Sequence, residues 1–182
     1  MLRRSLHALG AVLLLAAALL AGAAEPVGRV LLARGDVTAT SPDGRVRVLA
    51  RRASILEEDV LETGPAGVLQ VRFDDGATVE LRPGSRLEVS VYRYNRPTEG
   101  PDSVLMEIFA GAMRAVSGVI GGEQYEVITP VASIGIRGTH YETAQEATDS
   151  WVFGVWNGGI EVGNDAGSLA LGADADFLFA RA

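Results

Sequence analysis

Leu69, Val71 and Phe73 alternate with Gln70 and Arg72, and beyond Asp75-Gly76 the pattern resumes with Ala77, Val79 and Leu81 alternating with Thr78 and Glu80. A period of two sends one set of side chains to a buried face and the other to water, which describes paired strands and not a helix. Asp75-Gly76 is the pair favoured by a tight hairpin in which both central residues take positive φ. Arg82-Pro83-Gly84-Ser85 then suits a type II turn, with proline presetting the first central φ and glycine accepting the second. A third strand over residues 86–94 is expected to bury Leu87, Val89 and Val91.

The same alternation of apolar runs and turn residues extends in both directions. Residues 28–37 give two short apolar runs bracketed by glycines, Ser41-Pro42-Asp43-Gly44 is a turn, and residues 45–49 complete a hairpin-like unit. Residues 56–64 carry the glutamates of a helical turn, but the segment is short and closed by Gly64-Pro65. Residues 95–103 hold two prolines, a glycine and no large apolar side chain, and are expected to form an exposed loop. Residues 151–156 form a wholly apolar strand whose Trp151 and Trp156 are expected in the core, Asn157-Gly158 is a hairpin signal, and Ile160 and Val162 begin the return. No amphipathic helix of about twelve residues or more lies beyond the N-terminal segment. The expected fold is all-β: one wrapped-sheet, β-solenoid-like or sandwich-like domain over residues 25–182.

The first 24 residues read as a secretory signal, with Arg3 and Arg4 as a charged start, an apolar middle over residues 9–20, and Ala21-Gly22-Ala23-Ala24 as the cleavage site. The uncharged run 8–24 comes near the roughly 20 residues of a membrane span, which makes an uncleaved anchor the competing reading, but its short, alanine-rich middle favours cleavage. Ser5-Leu6-His7 after the arginines is a poor twin-arginine match, so the general export pathway and a periplasmic or secreted location are expected. Cysteine is absent, which excludes disulfides, thiolate metal sites and a lipid-bearing cysteine. All 16 basic residues are arginine, and removal of the signal leaves 14 of them against 23 acids, an unfavourable balance for nucleic acid. Residues 25–100 hold 11 arginines and 12 acids whereas residues 101–182 hold 3 and 11, so the second half is a solvated acidic face or a surface for a cationic partner.

The densest backbone punctuation lies in Thr129-Pro130-Val131-Ala132-Ser133-Ile134-Gly135-Ile136-Arg137-Gly138-Thr139-His140-Tyr141. In order along the chain come a Gly-x-Val opening at Gly28, the segment Asp59-Val60-Leu61-Glu62-Thr63-Gly64, Asp75-Gly76, Thr129-Pro130, the block Gly135-Ile136-Arg137-Gly138-Thr139, and Gly158-Gly159-Ile160-Glu161-Val162. This series resembles the FecR domain family over residues 28–171, and the Thr-Pro to Gly-x-Arg-Gly-Thr block is its specific part. The resemblance implies an all-β domain beyond the inner membrane, with Thr129, Pro130, Gly135, Arg137, Gly138 and Thr139 as family-motif, structural residues. The best-known members are transmembrane regulators that hold a sigma factor in the cytoplasm and sense an outer-membrane transporter. As given, the chain shows neither a cytoplasmic domain before its apolar segment nor an α/β module after the β domain, so sigma-factor control is not carried over.

Within the block, Arg137 is either a bidentate donor to a partner's carboxylate or a saccharide acid, or a staple on backbone carbonyls or an acid such as Glu142. The staple is the preferred reading, and it makes Arg137→Ala clearly destabilising. Gly135 and Gly138 are expected to supply unusual backbone angles or close approach. The Gly-Ile-Arg-Gly pattern mimics an RNA-clamping loop, but the flanking helices and basic setting of such a loop are missing. Tyr92 and Tyr94 share a face at i and i+2 and, with Arg96, form a candidate surface for stacking on sugar rings or gripping a peptide; partial burial is the competing reading. His140 is the one histidine left after signal removal, too few for an ordinary zinc site, and neither Ser133 nor Ser150 lies in a nucleophile elbow. Asp165, Asp174 and Asp176 lack a calcium-loop spacing, and Glu57, Glu58 and Asp59 are neighbours on one strand that cannot flank one bond.

No catalytic, metal or cofactor site is therefore assigned. The expected function is an exported, non-enzymatic binding or scaffolding module of the bacterial envelope, with an envelope protein or polysaccharide as partner. A periplasmic component of transporter-linked signalling is the alternative, and an envelope hydrolase stands last.

Overall fold

The structure, a computed structural model, describes residues 25–95, 100–173 and 175–182. The signal segment 1–24, Arg96 and Asp174 lie outside the described residues. Within them the chain is all-β. The first half contains β1 (Pro26–Arg34), β2 (Val37–Thr40), β3 (Val46–Val48), β4 (Ser54–Leu56), β5 (Val60–Thr63), β6 (Val68–Phe73), β7 (Thr78–Leu81) and β8 (Arg86–Arg93). The second contains β9 (Ser103–Ala110), β10 (Ala112–Val116), β11 (Gly122–Ile128), β12 (Ser133–Ala147), β13 (Ser150–Asn164), β14 (Gly167–Gly172) and β15 (Phe179–Arg181).

All 15 strands join one sheet, in the order β3-β2-β5-β8-β9-β11-β12-β10-β7-β6-β1-β4, with β13 beside β12 and both β14 and β15 beside β13. The sheet is curled into a half-barrel, so the wrapped-sheet expectation describes the fold. The strands at the two ends of this order meet, because Arg47 on β3 donates from Nη1 to the carbonyl of Ser54 on β4 at 3.1 Å. Every pairing is antiparallel except β9 with β11. Such curling encloses a continuous core that includes Leu61, Leu69, Leu81, Leu87, Ile108, Tyr125, Tyr141, Trp151 and Phe153. Each large apolar side chain so buried contributes about 1.5–3 kcal/mol.

Local readings are corrected at four places. The β6–β7 connection has positive φ at Gly76 alone (93°), with Phe73 N–H bonded to the Ala77 carbonyl at 2.9 Å and Gly76 N–H to the Phe73 carbonyl at 3.1 Å. It is a three-residue loop ending in a left-handed glycine and not a two-residue type I′ turn. Residues 56–64 form the end of β4, a turn with Glu58 at φ 63°, and β5, so the helical-turn reading fails. In β8 the pairing with β9 slips between Glu88 and Val91. That bulge reverses the inward phase, and Tyr92 takes the buried place expected of Val91. Asn157-Gly158 is not a hairpin but the interior of β13.

The two longest strands explain the last correction. One edge of β12 is paired along its length with β13; the other is shared by β11 over Ser133 to Ile136 and β10 over His140 to Ala144. The outer edge of β13 is likewise divided between β15 and β14. Both strands change partners near Gly138 (φ 62°) and Gly158 (φ 77°), and Gly172 (φ 100°) continues the row on β14. A Cβ on Gly158 would sit 2.2 Å from the Gly138 carbonyl oxygen, and one on Gly172 would sit 2.2 Å from that of Gly158. The sheet is creased along this line because no side chain intervenes there.

Candidate functional site

The sequence block around Arg137 builds the crease. Thr129 opens it: its Oγ1 accepts from Ala132 N–H at 3.0 Å and donates to the Ala132 carbonyl at 2.9 Å, closing a turn over the exposed Pro130. Thr139 closes it, with its hydroxyl donating to the Asn157 carbonyl and its N–H donating to Ser117 Oγ at 2.9 Å. Gly138 supplies the positive φ. Gly135 has neither positive φ nor a close neighbour, the nearest atom to an added Cβ being the Glu161 carbonyl oxygen at 3.9 Å, so steric need does not explain it.

Arg137 departs from its expected role. Its side chain is 73% exposed and pairs with Glu161 across β12–β13 at 3.1 Å, while Glu142 pairs with Arg82 on β7's flank at 3.2 Å. An exposed pair contributes little, since water screens both charges and two long side chains lose freedom. Arg137→Ala is therefore expected to change stability by no more than about 0.5 kcal/mol. A thermal melt showing a drop of many degrees would restore the staple reading.

The candidate partner surface is not assembled either. Tyr92 is 1% exposed, stacked on Phe73 with ring centroids 4.3 Å apart, and donates its hydroxyl to Asp75 Oδ1. Burial, then the hydrogen bond to Asp75, drive its ionisation well above the ordinary 10.0. Tyr92 is thus a core residue out of a partner's reach. Tyr94, half-buried, packs against the core. Asp75 itself is buried and also accepts from Ala77 N–H at 3.0 Å, so a turn acid in the sequence is a hub in the fold.

A different group comes together on the solvent face. Arg114 on β10 points outward between the buried Met113 and Ala115. Its Nε–H donates to His140 Nε2 on β12 at 2.7 Å, and its Cζ lies 5.0 Å from the ring centre of Trp156 on β13. The His140 and Trp156 ring centroids are 6.2 Å apart. Because His140 accepts at Nε2, its neutral form carries the proton on Nδ1. Burial and then Arg114 lower its pKa below the ordinary 6.5, with Glu142 opposing, so neutrality is the favoured state. Trp156 is 62% exposed and not in the core. Strand alternation accounts for this: Trp151, Phe153 and Val155 face inward, and Trp156 is the next residue. That signal was present in the sequence but masked by a run in which every residue is apolar.

Beside the cluster a groove of about 240 Å³ crosses five adjacent strands, lined in part by Leu31, Gln70, Glu80, Arg114, Val116 and His140. Gln70 Nε2 donates to Glu80 at 2.5 Å, which fixes both side chains. Among the described residues no group of three His, Asp or Glu side chains converges to hold a metal.

These features define an all-β module whose sheet is creased by glycines and whose solvent face carries a held aromatic and cationic cluster. The profile of the family described as FecR protein matches residues 59–161, more than half of the chain, and the chain belongs to that family. Two crystal structures of a candidate anti-sigma factor from Parabacteroides distasonis share the fold, each at 19% identity over 68% of this chain, with TM-scores of 0.51 and 0.50. The aligned chain spans 58% of their length. A cell surface anchoring domain is 30% identical over 35% of this chain and 84% of its own, with a TM-score of 0.34. No curated protein matches the chain.

Proposed function

We propose that this chain is a non-enzymatic binding or scaffolding module of the bacterial cell envelope. The observation that carries the reading is the Arg114–His140–Trp156 cluster, in which an exposed indole is held in place by half-buried Arg114 and His140 on the solvent face of the sheet. The groups that could do chemistry are engaged in structure: Asp59 and Asp75 are buried and hydrogen-bonded, and His140 faces an arginine where a nucleophile would be needed. Membership of the FecR family supports an envelope setting. Export through cleavage after Ala24, a periplasmic or secreted location and an envelope protein or polysaccharide as partner belong to this reading.

A signalling role in transporter regulation is the second reading, favoured by family membership and by the candidate anti-sigma factor whose structures share the fold. Crosslinking in intact cells followed by mass spectrometry separates the two. Recovery of wall or glycan-bearing components is expected for the module; recovery of a TonB-dependent receptor or an inner-membrane regulator assigns it to signalling. Exclusively cytoplasmic partners, or an intact Met1 in the membrane fraction, would overturn the exported reading.

A further inference from the structure

We infer that the groove beside Trp156 is a binding site for an uncharged saccharide, with the tryptophan as the platform for a pyranose ring. The inference rests on the reading of this chain as a non-enzymatic binding module and names the ligand class of its site.

The first argument is the kind of surface assembled. A large indole left 62% exposed on a sheet is an apolar area that water solvates poorly, and Arg114 holds its orientation from one side. Sugar rings present flat C–H faces that stack on such a platform while their rim of hydroxyls needs both donors and acceptors. The groove supplies both. Arg114 has committed Nε to His140, and among the described residues nothing accepts from its two terminal nitrogens. His140 offers Nδ1–H as a second donor. Glu80, Gln70 and Thr78 line the same groove as acceptors or hydroxyl partners, with Leu31 and Val116 giving it apolar walls.

The second argument is the charge balance, which decides between a neutral and an acidic ligand. Arg114 stands opposite Glu80 on β7 and Glu142 on β12 in the two registers that flank it. Glu142 is also paired with Arg82, so two guanidiniums stand against two carboxylates; this local neutrality makes no positive field for an anion, and the chain as a whole carries a net charge of −7. An acidic saccharide or a free peptide carboxylate would meet repulsion that a neutral sugar does not.

The test uses the protein's two tryptophans, of which Trp151 is fully buried and Trp156 exposed. The purified protein is titrated with cellotetraose and chitotetraose, neutral sugars that differ in N-acetylation, with tetragalacturonate as the acidic counterpart and a capped peptide with a free carboxylate as a protein-type ligand. At least one neutral tetrasaccharide is expected to give a saturable blue shift of the exposed tryptophan, with affinity at least about tenfold above the acidic sugar and the peptide. Calorimetry is expected to show about a tenfold loss for Trp156→Ala and a several-fold loss for Arg114→Met, with melting curves reporting that both variants fold. Which neutral sugar binds distinguishes a wall-type N-acetylated glycan from an unacetylated one.

Tighter binding of the acidic sugar or the peptide overturns the inference, as does a wild-type protein that saturates with neither neutral sugar. Those failures leave the crosslinking result standing. Cleavage of a tetrasaccharide during the titration would instead overturn the non-enzymatic reading itself.

Discussion

Asp59→Ala is expected to destabilise the domain by about 3–5 kcal/mol in urea denaturation, the loss typical of a broken buried ion pair. Asp59 is fully buried. Its carboxylate receives the Arg47 Nη2 group, the N–H of Leu56 at 2.8 Å and the hydroxyl of Ser41 at 3.3 Å. These partners belong to β3, the end of β4 and the turn after β2, so one carboxylate joins the two ends of the sheet order. Alanine would leave the guanidinium half-buried without its counter-charge and the Leu56 N–H without an acceptor. Arg47 Nε is already buried without a hydrogen-bond partner, so the arginine has little means of compensating within the fold. Asp59→Asn, which keeps an acceptor oxygen but not the charge, should fall between wild type and alanine. A loss below about 1 kcal/mol for Asp59→Ala would show that the sheet ends are held by other contacts.

The second large effect is expected at the crease. Gly158→Ala places a methyl group 2.2 Å from the Gly138 carbonyl oxygen and 3.0 Å from the Thr139 Cα, both backbone atoms that cannot swing aside. It also puts an L-side chain at φ 77°. The left-handed conformation alone costs about 1–2 kcal/mol and overpacking a further 1–3 or so, giving an expected loss of about 2–5 kcal/mol. Because the strain falls where β12 and β13 change partners, the Arg114–His140–Trp156 cluster should be disturbed with it. The exposed tryptophan's emission would then change even in the fraction that remains folded. Gly135→Ala is the matched control: the space around it is open, and a loss as large as that at Gly158 would refute the crease argument.

Much of the fold was legible in the residues. Where alternation is regular, as at Leu69, Val71, Phe73, Ala77, Val79 and Leu81, every side chain expected inside is buried. Gly84 takes the positive φ (71°) that its turn requires. The order of short motifs from Gly28 to Val162 marked the family, and the family profile matches the part of that span over residues 59–161. Legibility stops where the period is broken. The bulge after Glu88 puts Tyr92 inside by shifting the strand one place, and nothing in Glu88-Val89-Ser90-Val91 announces an extra residue. The same limit hides Asp59 among Glu57 and Glu58, since three adjacent acids look alike until one is found inside.

The sequence by itself determined the local grammar: strands and not helices, turns at Pro-Gly and Asp-Gly pairs, one inward face per strand, and membership of a family whose motif is a backbone corner. These properties depend on residues a few positions apart, whose steric preferences act without the rest of the chain. Only the tertiary structure decided which strands lie side by side. Arg82 meets Glu142 across 60 residues of sequence, and Arg114 meets His140 across 26. Such pairings follow from the order in which the sheet curls. That order is set by the sum of core burial over 15 strands, and no single segment carries it. The corner motif at residues 129–141 is therefore where the family can be recognised, while the surface available to a ligand arises from β1, β6, β7, β10, β12 and β13 meeting in one face.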